Sequence, residues 1–216
     1  MCVKIIEYGT LKRGFIIFSI WGIVMSRIIY IMGKSSSGKD SIFKEIKNRR
    51  PELKTIVPYT TRPIRAGEKE GVEYHFVDER EMRRLELKGK VIEQRAYNTK
   101  HGIWNYFTVD DGQIDFSKQQ DYIMIGTIES YAAMLSYFGG EVVIPVYIEV
   151  EDGLRLARAV ERERNEKNPK YAELCRRFLA DLEDFSEENL EDAGIVKRFH
   201  NIEFETCVDE ICKFLF

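Results

Sequence analysis

The sequence predicts an α/β fold of three layers, in which helices cover both faces of a central parallel sheet. Residues 27–32 (RIIYIM) are apolar and β-branched, as buried parallel strands are, and residues 40–50 space their apolar side chains as a helix does. Similar strand and helix patterns alternate along the rest of the chain, which is typical of a parallel sheet with crossover helices. The 216 residues are enough for one domain with its own core.

The remaining elements follow in chain order. Strands are predicted at residues 54–57, 121–125 and 142–150, and helices at residues 154–166 and 171–185. Asn168 and Pro169 are typical of an N-cap and a first helical position, so they are expected to begin the second of these helices. From Glu203 onward the apolar residues recur at helical spacing, which predicts a helix packed on the core. These residues are Phe204, Cys207, Val208, Ile211, Cys212 and Leu215.

Charge and cysteine content argue against some function classes. The 33 Lys and Arg and 36 Asp and Glu residues give a net charge of −3 and are mixed along the chain, so no extended cationic surface for nucleic acid is expected. The four cysteines form no CxxC pair, and no histidine stands at metal-ligand spacing from them, which argues against a zinc site. Scattered cysteines favour a reducing, cytoplasmic location.

Residues 1–25 differ in character from the rest of the chain. The stretch carries a net charge of +2, and its apolar run 15–25 is shorter than the ~20 residues that a membrane span needs. It also lacks the small-residue cleavage site of a signal peptide. We therefore expect an appended extension outside the fold, upstream of a start at Met25, with a membrane tether as the alternative.

The most specific motif is a glycine-rich turn between the predicted strand 27–32 and helix 40–50. Its pattern Gly-x4-Gly-Lys allows successive backbone N–H groups and the helix N-terminus to surround a polyphosphate, while Lys39 contacts the terminal phosphates. The predicted nucleotide-binding residues are Gly33, Lys34, Ser35, Ser36, Ser37, Gly38, Lys39, Asp40 and Ser41. Asp40 stands where this motif usually has a Ser or Thr that ligates Mg²⁺. Either Asp40 or Ser41 supplies a Mg²⁺ ligand, or Asp40 is only an acidic residue of the first helical turn.

A second motif, TTRPIRAGE at residues 60–68, is followed by Tyr74 in a G-x-x-Y-x-F-V pattern. Together with the glycine-rich turn, it resembles the guanylate kinases, in which this stretch opens the domain that binds the nucleoside monophosphate. The resemblance implies that Arg62, Arg65 and Tyr74 hold the phosphate of GMP. Two arginines this close in sequence can bind one phosphate group, and a tyrosine adds a neutral donor.

The resemblance extends to Glu93, which follows a short apolar stretch as the family's guanine-binding glutamate does. A carboxylate can accept hydrogen bonds from both N1–H and the 2-amine of guanine, a pair of donors that adenine does not present. The tyrosine-glycine pair that the family has next is not clean here. Either His101–Gly102 or Tyr106 takes the place of a second phosphate-binding tyrosine.

Arginines follow where the guanylate kinases carry a mobile lid. The resemblance implies that Arg158, Arg162 and Arg177 stabilise the transferred phosphoryl group. Arg158 and Arg162 lie four residues apart and hence on one helical face, for which a solvated, ion-paired surface is the alternative. Asn201 resembles the family's asparagine near the adenine of ATP, with a helix N-cap as the alternative.

The chain departs from the family at two places. Pro58 stands where the guanylate kinases have a serine, and residues 124–127 (MIGT) stand where they have two acids. These changes remove a hydroxyl donor and a carboxylate from the expected acceptor pocket. The pocket is therefore expected to be reshaped, or to accept another nucleotide.

The resemblance implies a P-loop kinase fold with a central parallel sheet, an inserted monophosphate-binding subdomain and a helical lid. The predicted domain covers residues 26–216, with its core at 26–57, 116–157 and 186–216, the insert at 58–115, and the lid and return helix at 158–185. The predicted function is Mg²⁺-dependent phosphoryl transfer from ATP to GMP by a monomer or homodimer. A P-loop kinase for another small phosphorylated acceptor and a catalytically silent guanylate-kinase-like binding module are the alternatives.

Overall fold

The computed structural model describes residues 26–65, 67–99 and 102–216. The predicted extension over residues 1–25 and His101 lie outside the described residues. None of the described helices is both long enough and apolar enough to cross a membrane. The described helices are α1 (Lys39–Arg49), α2 (Glu79–Leu87), α3 (Ile128–Phe138), α4 (Asp152–Arg164), α5 (Tyr171–Asp184), α6 (Glu187–Asp192) and α7 (Phe204–Leu215).

A five-stranded parallel sheet forms the centre of the domain. Its strands, in spatial order, are β2 (Lys54–Thr55), β7 (Tyr122–Ile125), β1 (Ile28–Met32), β8 (Val143–Glu149) and β9 (Arg198–His200). β1 is buried along its whole length and pairs with both β7 and β8, so its carboxyl end lies in the middle of the sheet. Ligands commonly bind beyond the carboxyl ends of strands in such sheets.

Different helices cover the two faces of this sheet. Ile29 and Ile31 of β1 pack in one hydrophobic cluster with residues of α1 and α7. Tyr30 and Met32, which alternate with them along the strand, pack in a second cluster with residues of α3 and α6. The predicted three-layer α/β fold is confirmed, and so is the C-terminal helix.

A second sheet is formed by residues between the second and the seventh strand of the chain. Its strands, in spatial order, are β4 (His75–Phe76), β3 (Tyr59–Thr60), β6 (Gly102–Val109) and β5 (Val91–Thr99). One face packs Phe107 and Val109 of β6 against Met82 and Leu85 of α2. Because side chains alternate along a strand, the residues between them point to the opposite face, which we call the acceptor face.

Two element boundaries differ from the prediction because side chains satisfy backbone groups. The strand predicted at 54–57 is limited to Lys54–Thr55, since the N–H of Val57 donates to Oε1 of Gln113 (2.8 Å) instead of to a neighbouring strand. α4 begins at Asp152, two residues before the predicted start. The carboxylate of Glu151 caps it there by accepting from the N–H groups of the second and third residues after it (2.9 and 2.8 Å).

The prediction that Asn168 and Pro169 begin α5 is wrong. The helix begins at Tyr171, and Lys170 occupies the N-cap position without a side-chain hydrogen bond. The N–H of Lys170 instead donates to the carboxylate of Glu163 near the end of α4. A side chain of the preceding helix therefore satisfies the backbone at this turn, where the local sequence favours an Asn168 cap.

Candidate active site

The loop between β1 and α1 has the backbone geometry of an anion-binding turn. A Cβ on Gly33 would lie 2.6 Å from the carbonyl oxygen of Ile148, so the backbone would have to shift to accept any other residue. Ser36 and Gly38 adopt left-handed φ angles of 63° and 87°. α1 follows Gly38 without a side-chain cap, so the N–H groups of its first turn have no side-chain acceptor. We call residues 33–41 the phosphate loop.

Polar side chains of the phosphate loop lack partners within the protein. The hydroxyls of Ser36 and Ser37 are buried and form no hydrogen bond with the residues that the structure describes. Since a buried hydroxyl normally has a partner, these two are available to a bound group. Lys39 begins α1 with its side chain 20% exposed and its Nζ 3.9 Å from the carboxylate of Asp40. Asp40 and Ser41 are exposed in the first turn of the helix.

Asn201 follows β9 and supports the phosphate loop from the side. It is buried, and its Nδ2 donates to the carbonyl oxygen of Ser37 (2.8 Å). Its own N–H donates to the carbonyl of Glu149 (3.0 Å), which fixes its position against β8. The alternative interpretation of Asn201 as a helix N-cap is wrong. Glu203 caps α7 by accepting from the N–H of Thr206 (2.9 Å).

Replacing Gly38 with alanine is expected to lower the free energy of unfolding by about 2–3 kcal/mol. The new Cβ would be strained at the φ of +87° and would overlap Nδ2 of Asn201. Urea denaturation measures the loss. Gly89→Ala is the matched control, because Gly89 also has a positive φ (+63°) but no atom within 4 Å of the position that a Cβ would take. In an Asn201→Ala background, Gly38→Ala should cost no more than Gly89→Ala; an unchanged cost would contradict the overlap.

Glu68 organises the two predicted phosphate-binding arginines. NH1 and NH2 of the buried Arg62 donate to its two carboxylate oxygens (2.9 and 2.8 Å). The guanidinium of Arg62 also lies 5.5 Å from the ring centres of both Tyr74 and Phe76, and its Nε has no partner among the described residues. Arg65 donates its backbone N–H to Glu68 (2.8 Å) and exposes its side chain. The guanidinium of Arg65 is therefore accessible to a ligand, whereas that of Arg62 is fixed by Glu68.

Tyr74 and Tyr106 lie next to each other beside Arg62. Their rings meet edge to face with centres 5.6 Å apart, and the ring of Tyr97 lies 5.5 Å beyond Tyr106. Burial and, secondly, the electrostatic effect of Tyr106 raise the pKa of Tyr74, so its hydroxyl remains a hydrogen-bond donor at neutral pH. The structure thus brings together Tyr74 and Tyr106 from separate strands and turns of the second sheet.

Glu93 lies on the acceptor face with an internal partner. Nε and NH2 of Arg95 donate to its two carboxylate oxygens (2.9 and 3.2 Å), and the hydroxyl of Thr108 donates to one of them (2.7 Å). NH1 of Arg95 donates to the hydroxyl of Thr127 (3.2 Å), which caps α3. The predicted base-binding glutamate is therefore part of a network that reaches from the second sheet to the core.

Arg155 joins α4, α5 and the phosphate loop. Its side chain is 1% exposed, and its guanidinium donates to Asp152 (2.9 Å), Asp181 (2.9 Å) and the carbonyl of Ser35 (3.3 Å). It also stacks 4.0 Å from the ring centre of Phe178. Asp181 in turn accepts from the N–H of Ser35 (2.9 Å). Burial alone would raise the pKa of Asp152, but the hydrogen bond from Arg155 is the main effect that holds this pKa below its usual value.

Two of the predicted lid arginines face the phosphate loop across a small cavity. Arg162 and Arg177 line this cavity of about 80 Å³ together with Ser35 and Ser36. Arg177 forms an ion pair with Glu173 of the same helix, α5 (2.9 Å). A hydrogen bond from Arg176, and secondly one from Arg177, lower the pKa of Glu173 to about 2.

Other cations lie at the edges of the loop. NH2 of Arg158 donates to the carbonyl of Asn201 (3.0 Å), so Arg158 is fixed beside the residue that supports the phosphate loop. Nζ of Lys34 lies 3.4 Å from Asp152. Arg158 and Lys34 therefore lie beside the phosphate loop, the first held by a hydrogen bond and the second by an ion pair.

Comparison with known proteins shows which family the chain resembles. Residues 25–125, which contain both sequence motifs, match the family model of guanylate kinases. Over this segment, which is just under half of the chain, the sequence is similar to that of guanylate kinases. The matched residues include the phosphate loop, the Arg62–Arg65 loop and most of the acceptor face.

Similar proteins share part of the sequence and most of the fold. The guanylate kinase of Thermobifida fusca is 45% identical over 67 residues, which cover 31% of this chain and 34% of that protein. The guanylate kinase of Frankia casuarinae is 42% identical over 67 residues, which cover 31% of this chain and 36% of that protein. The chain therefore matches only about a third of the length of these curated guanylate kinases. The crystal structure of guanylate kinase from Anaplasma phagocytophilum covers 88% of this chain and 85% of its own, with a TM-score of 0.58 and 21% identity, so the likeness in fold extends well beyond the sequence match.

Two residues of the candidate site were not predicted from the guanylate kinase motifs. Arg95 could have been found from the strand pattern, because Glu93, Arg95 and Tyr97 alternate along β5 and so share one face. For Arg155 the only local signal was its i,i+3 spacing from Asp152, and its second carboxylate partner, Asp181, lies 26 residues away on another helix.

Proposed function

We propose that the protein is a nucleoside monophosphate kinase that transfers the γ-phosphoryl group of ATP to GMP. The observation that carries the proposal is a phosphate loop whose first helical turn is uncapped, with Lys39 beside it and two buried serine hydroxyls without partners among the described residues. A second set of proposed phosphate ligands, Arg62 and Arg65, lies in the loop that follows β3 of the second sheet. Transfer between two phosphate groups needs two such sites.

The proposed division of the chain follows these two sites. Residues 26–57, 116–157 and 186–216 form the core that binds ATP, residues 58–115 form the insert that binds the acceptor, and residues 158–185 form the lid and return helix. Residues 33–41 would surround the ATP phosphates with backbone N–H groups, and Asn201 would support this loop and border the adenine.

Mg²⁺ is the proposed companion of ATP, and the residues present fit it. Asp40 and Ser41 place a carboxylate and a hydroxyl oxygen, both exposed, in the first turn of α1. Such oxygens are the ligands that Mg²⁺ prefers, and it is usually bound by one or two protein oxygens together with substrate phosphates. When bound, the ion would offset phosphate charge.

The acceptor phosphate would be held by Arg62, Arg65, Tyr74 and Tyr106. Transfer needs no protein base, because the second pKa of a phosphate monoester is about 6 and an acceptor oxygen is already ionised at neutral pH. This oxygen bonds to the γ-phosphorus while the bond to the bridging oxygen breaks, which leaves GDP and ADP.

Several cations would stabilise the charge that spreads over the transferred group. Lys39 lies in the phosphate loop, and Arg158, Arg162 and Arg177 lie on the helix pair α4–α5. Cations around the equatorial oxygens stabilise the transition state more than the ground state. Arg177 would have to leave Glu173 in order to take part.

A coupled assay of ADP formation tests the proposal. With Mg²⁺ present, GMP is expected to support faster ADP formation than AMP, CMP or UMP, and chelation of Mg²⁺ is expected to abolish the reaction. If none of the four nucleotides raised ADP formation above the rate with ATP alone, the proposed activity would be wrong. Since Glu93 is engaged by Arg95, a kinase for another phosphorylated acceptor is the second candidate, and a best acceptor other than GMP would favour it.

Arg65→Ala is expected to raise the KM for GMP by about 10- to 100-fold and to leave the KM for ATP unchanged. The change removes the exposed guanidinium of the proposed acceptor site but keeps the backbone bond to Glu68. Initial rates at varied GMP and varied ATP measure the two constants. Arg83→Ala, at an exposed position on α2, is the control and should change neither constant. Equal rises in both constants for Arg65→Ala would remove Arg65 from the acceptor site.

A further inference from the structure

Arg95 lies on the acceptor face, between the two groups that the proposed function assigns to the acceptor. In the β5–β6 pairing it stands directly opposite Tyr106, and Glu93 stands opposite Thr108, so all four side chains share one face of the sheet. The opposite face packs on α2. Arg95 thus separates the base end of the site, at Glu93, from the phosphate end, at Tyr106.

The carboxylate of Glu93 has little hydrogen-bonding capacity left. It accepts from Nε and NH2 of Arg95 and from the hydroxyl of Thr108, three of the roughly four bonds that a carboxylate can accept. With the Arg95 pair intact, Glu93 can accept from one donor of a base but not from two. The guanine edge offers two donors to a carboxylate, N1–H and the 2-amine, so both cannot be satisfied by Glu93 in this arrangement.

The charge of the network also matters for the ligand. The charges of Glu93 and Arg95 offset each other, and the threonines that bond to them, Thr108 and Thr127, are neutral. Beside the single acceptor that remains on Glu93, the guanidinium offers N–H donors on a side chain that is 12% exposed. A donor next to an acceptor is complementary to the O6 and N1–H of a 6-oxopurine, whereas adenine presents the reverse order.

We propose that Arg95 binds the 6-oxo group of the acceptor base while Glu93 accepts from its N1–H. This inference rests on the proposed function, since it takes the acceptor face as the monophosphate site. Recognition is then of the 6-oxopurine class, and the 2-amino group of guanine contributes little. IMP and GMP are both acceptors of this site, and AMP is not.

Isothermal titration of the full chain with four nucleotides tests the inference separately from catalysis. The nucleotides are GMP, IMP, AMP and 6-thioguanosine monophosphate, which keeps both guanine donors but replaces O6 with a weakly accepting sulfur. Wild-type protein is expected to bind GMP at least about tenfold more tightly than the 6-thio analogue, and IMP within about threefold of GMP. Arg95→Met is expected to bring the ratio of GMP to 6-thio affinity close to one.

A conservative variant guards against misfolding, because Arg95→Met leaves the buried Glu93 without its partner. Arg95→Lys keeps a positive charge beside Glu93 but not the planar guanidinium, and it is expected to reduce the ratio by at least about threefold. Melting curves of both variants show whether they fold. If Arg95 had only a structural role, the variants would bind all four nucleotides more weakly by the same factor, and the ratio of GMP to 6-thio affinity would not change.

The outcomes separate the inference from the proposed function. If the protein turns over GMP but neither variant changes the ratio of GMP to 6-thio affinity, the inference is overturned and the kinase proposal stands. If the wild-type protein showed the expected ratio of GMP to 6-thio affinity and the variants lost it, but no ADP formed, the inference would be supported and the kinase proposal overturned. The inference would also be overturned if AMP bound as tightly as GMP, if IMP bound much more weakly than GMP, or if GMP did not bind.

Discussion

Lys39→Met is expected to lower kcat for phosphoryl transfer from ATP to GMP by about 10²- to 10³-fold. Lys39 is the cation at the start of α1, where the phosphate loop meets the uncapped helix. Methionine keeps most of the length of the side chain but removes the charge that would stabilise the transferred phosphoryl group. Single-turnover and steady-state measurements of ADP formation, with GMP and ATP both saturating, report the change.

The control for this prediction is Lys44→Met, because Lys44 is exposed farther along the same helix. It should retain the activity of the wild-type protein, and both variants should unfold at the same urea concentration as the parent. Unchanged GMP-dependent ADP formation by purified Lys39→Met would mean that the phosphate loop does not act as proposed. A wild-type protein that binds GMP but forms no ADP would instead favour the catalytically silent binding module.

Arg155→Met is expected to lower the free energy of unfolding by about 3–5 kcal/mol. The guanidinium is almost wholly buried and is the shared partner of Asp152 and Asp181, so its removal leaves two carboxylates without their main cation. The bond to the carbonyl of Ser35 is lost as well. Urea denaturation followed by circular dichroism measures the free energy and the cooperativity of unfolding.

Arg164→Met provides the matched control on the same helix. Arg164 pairs with Glu161 at an exposed position, and its loss should change the free energy of unfolding by no more than about 0.5 kcal/mol. Asp181→Asn in the Arg155→Met background should recover part of the loss, because it removes one of the unpaired charges. Arg155→Met as stable as Arg164→Met would show that the buried cluster does not hold the helix pair.

Local sequence patterns were sufficient for the core of this fold. β1 and the glycine-rich turn were predictable because a buried parallel strand, an unusual backbone turn and a helix start each demand particular residue types at consecutive positions. The start of α5 was not, because the N–H of Lys170 is satisfied by Glu163 from the preceding helix instead of by a local cap. Local propensity decides a helix end only when no tertiary partner competes for its backbone groups.

In the candidate site, too, contacts that are local in sequence could be predicted and contacts between distant segments could not. The Arg62–Glu68 pair lies within one short loop, and its motif is continuous in sequence. The contact of Arg155 with the carbonyl of Ser35 joins residues 120 positions apart, and that of Arg95 with Thr127 joins a strand of one sheet to a helix cap at the other. Nothing in a single sequence indicates such pairs, because each depends on how separately folded segments pack.

The buried attachment of Arg155 sets a length scale for the arginines that are proposed to act in catalysis. Arg162 lies seven residues beyond Arg155 on α4, or about 10 Å along the helix axis. If α4 tilts as a rigid rod about this attachment, a rotation of about 10° displaces Arg162 by about 2 Å. That distance is comparable to the difference between a water-separated and a direct contact with a phosphate oxygen. A small angular change at the base of the helix is thus enough to move the guanidinium of Arg162 from a water-separated to a direct contact with such an oxygen.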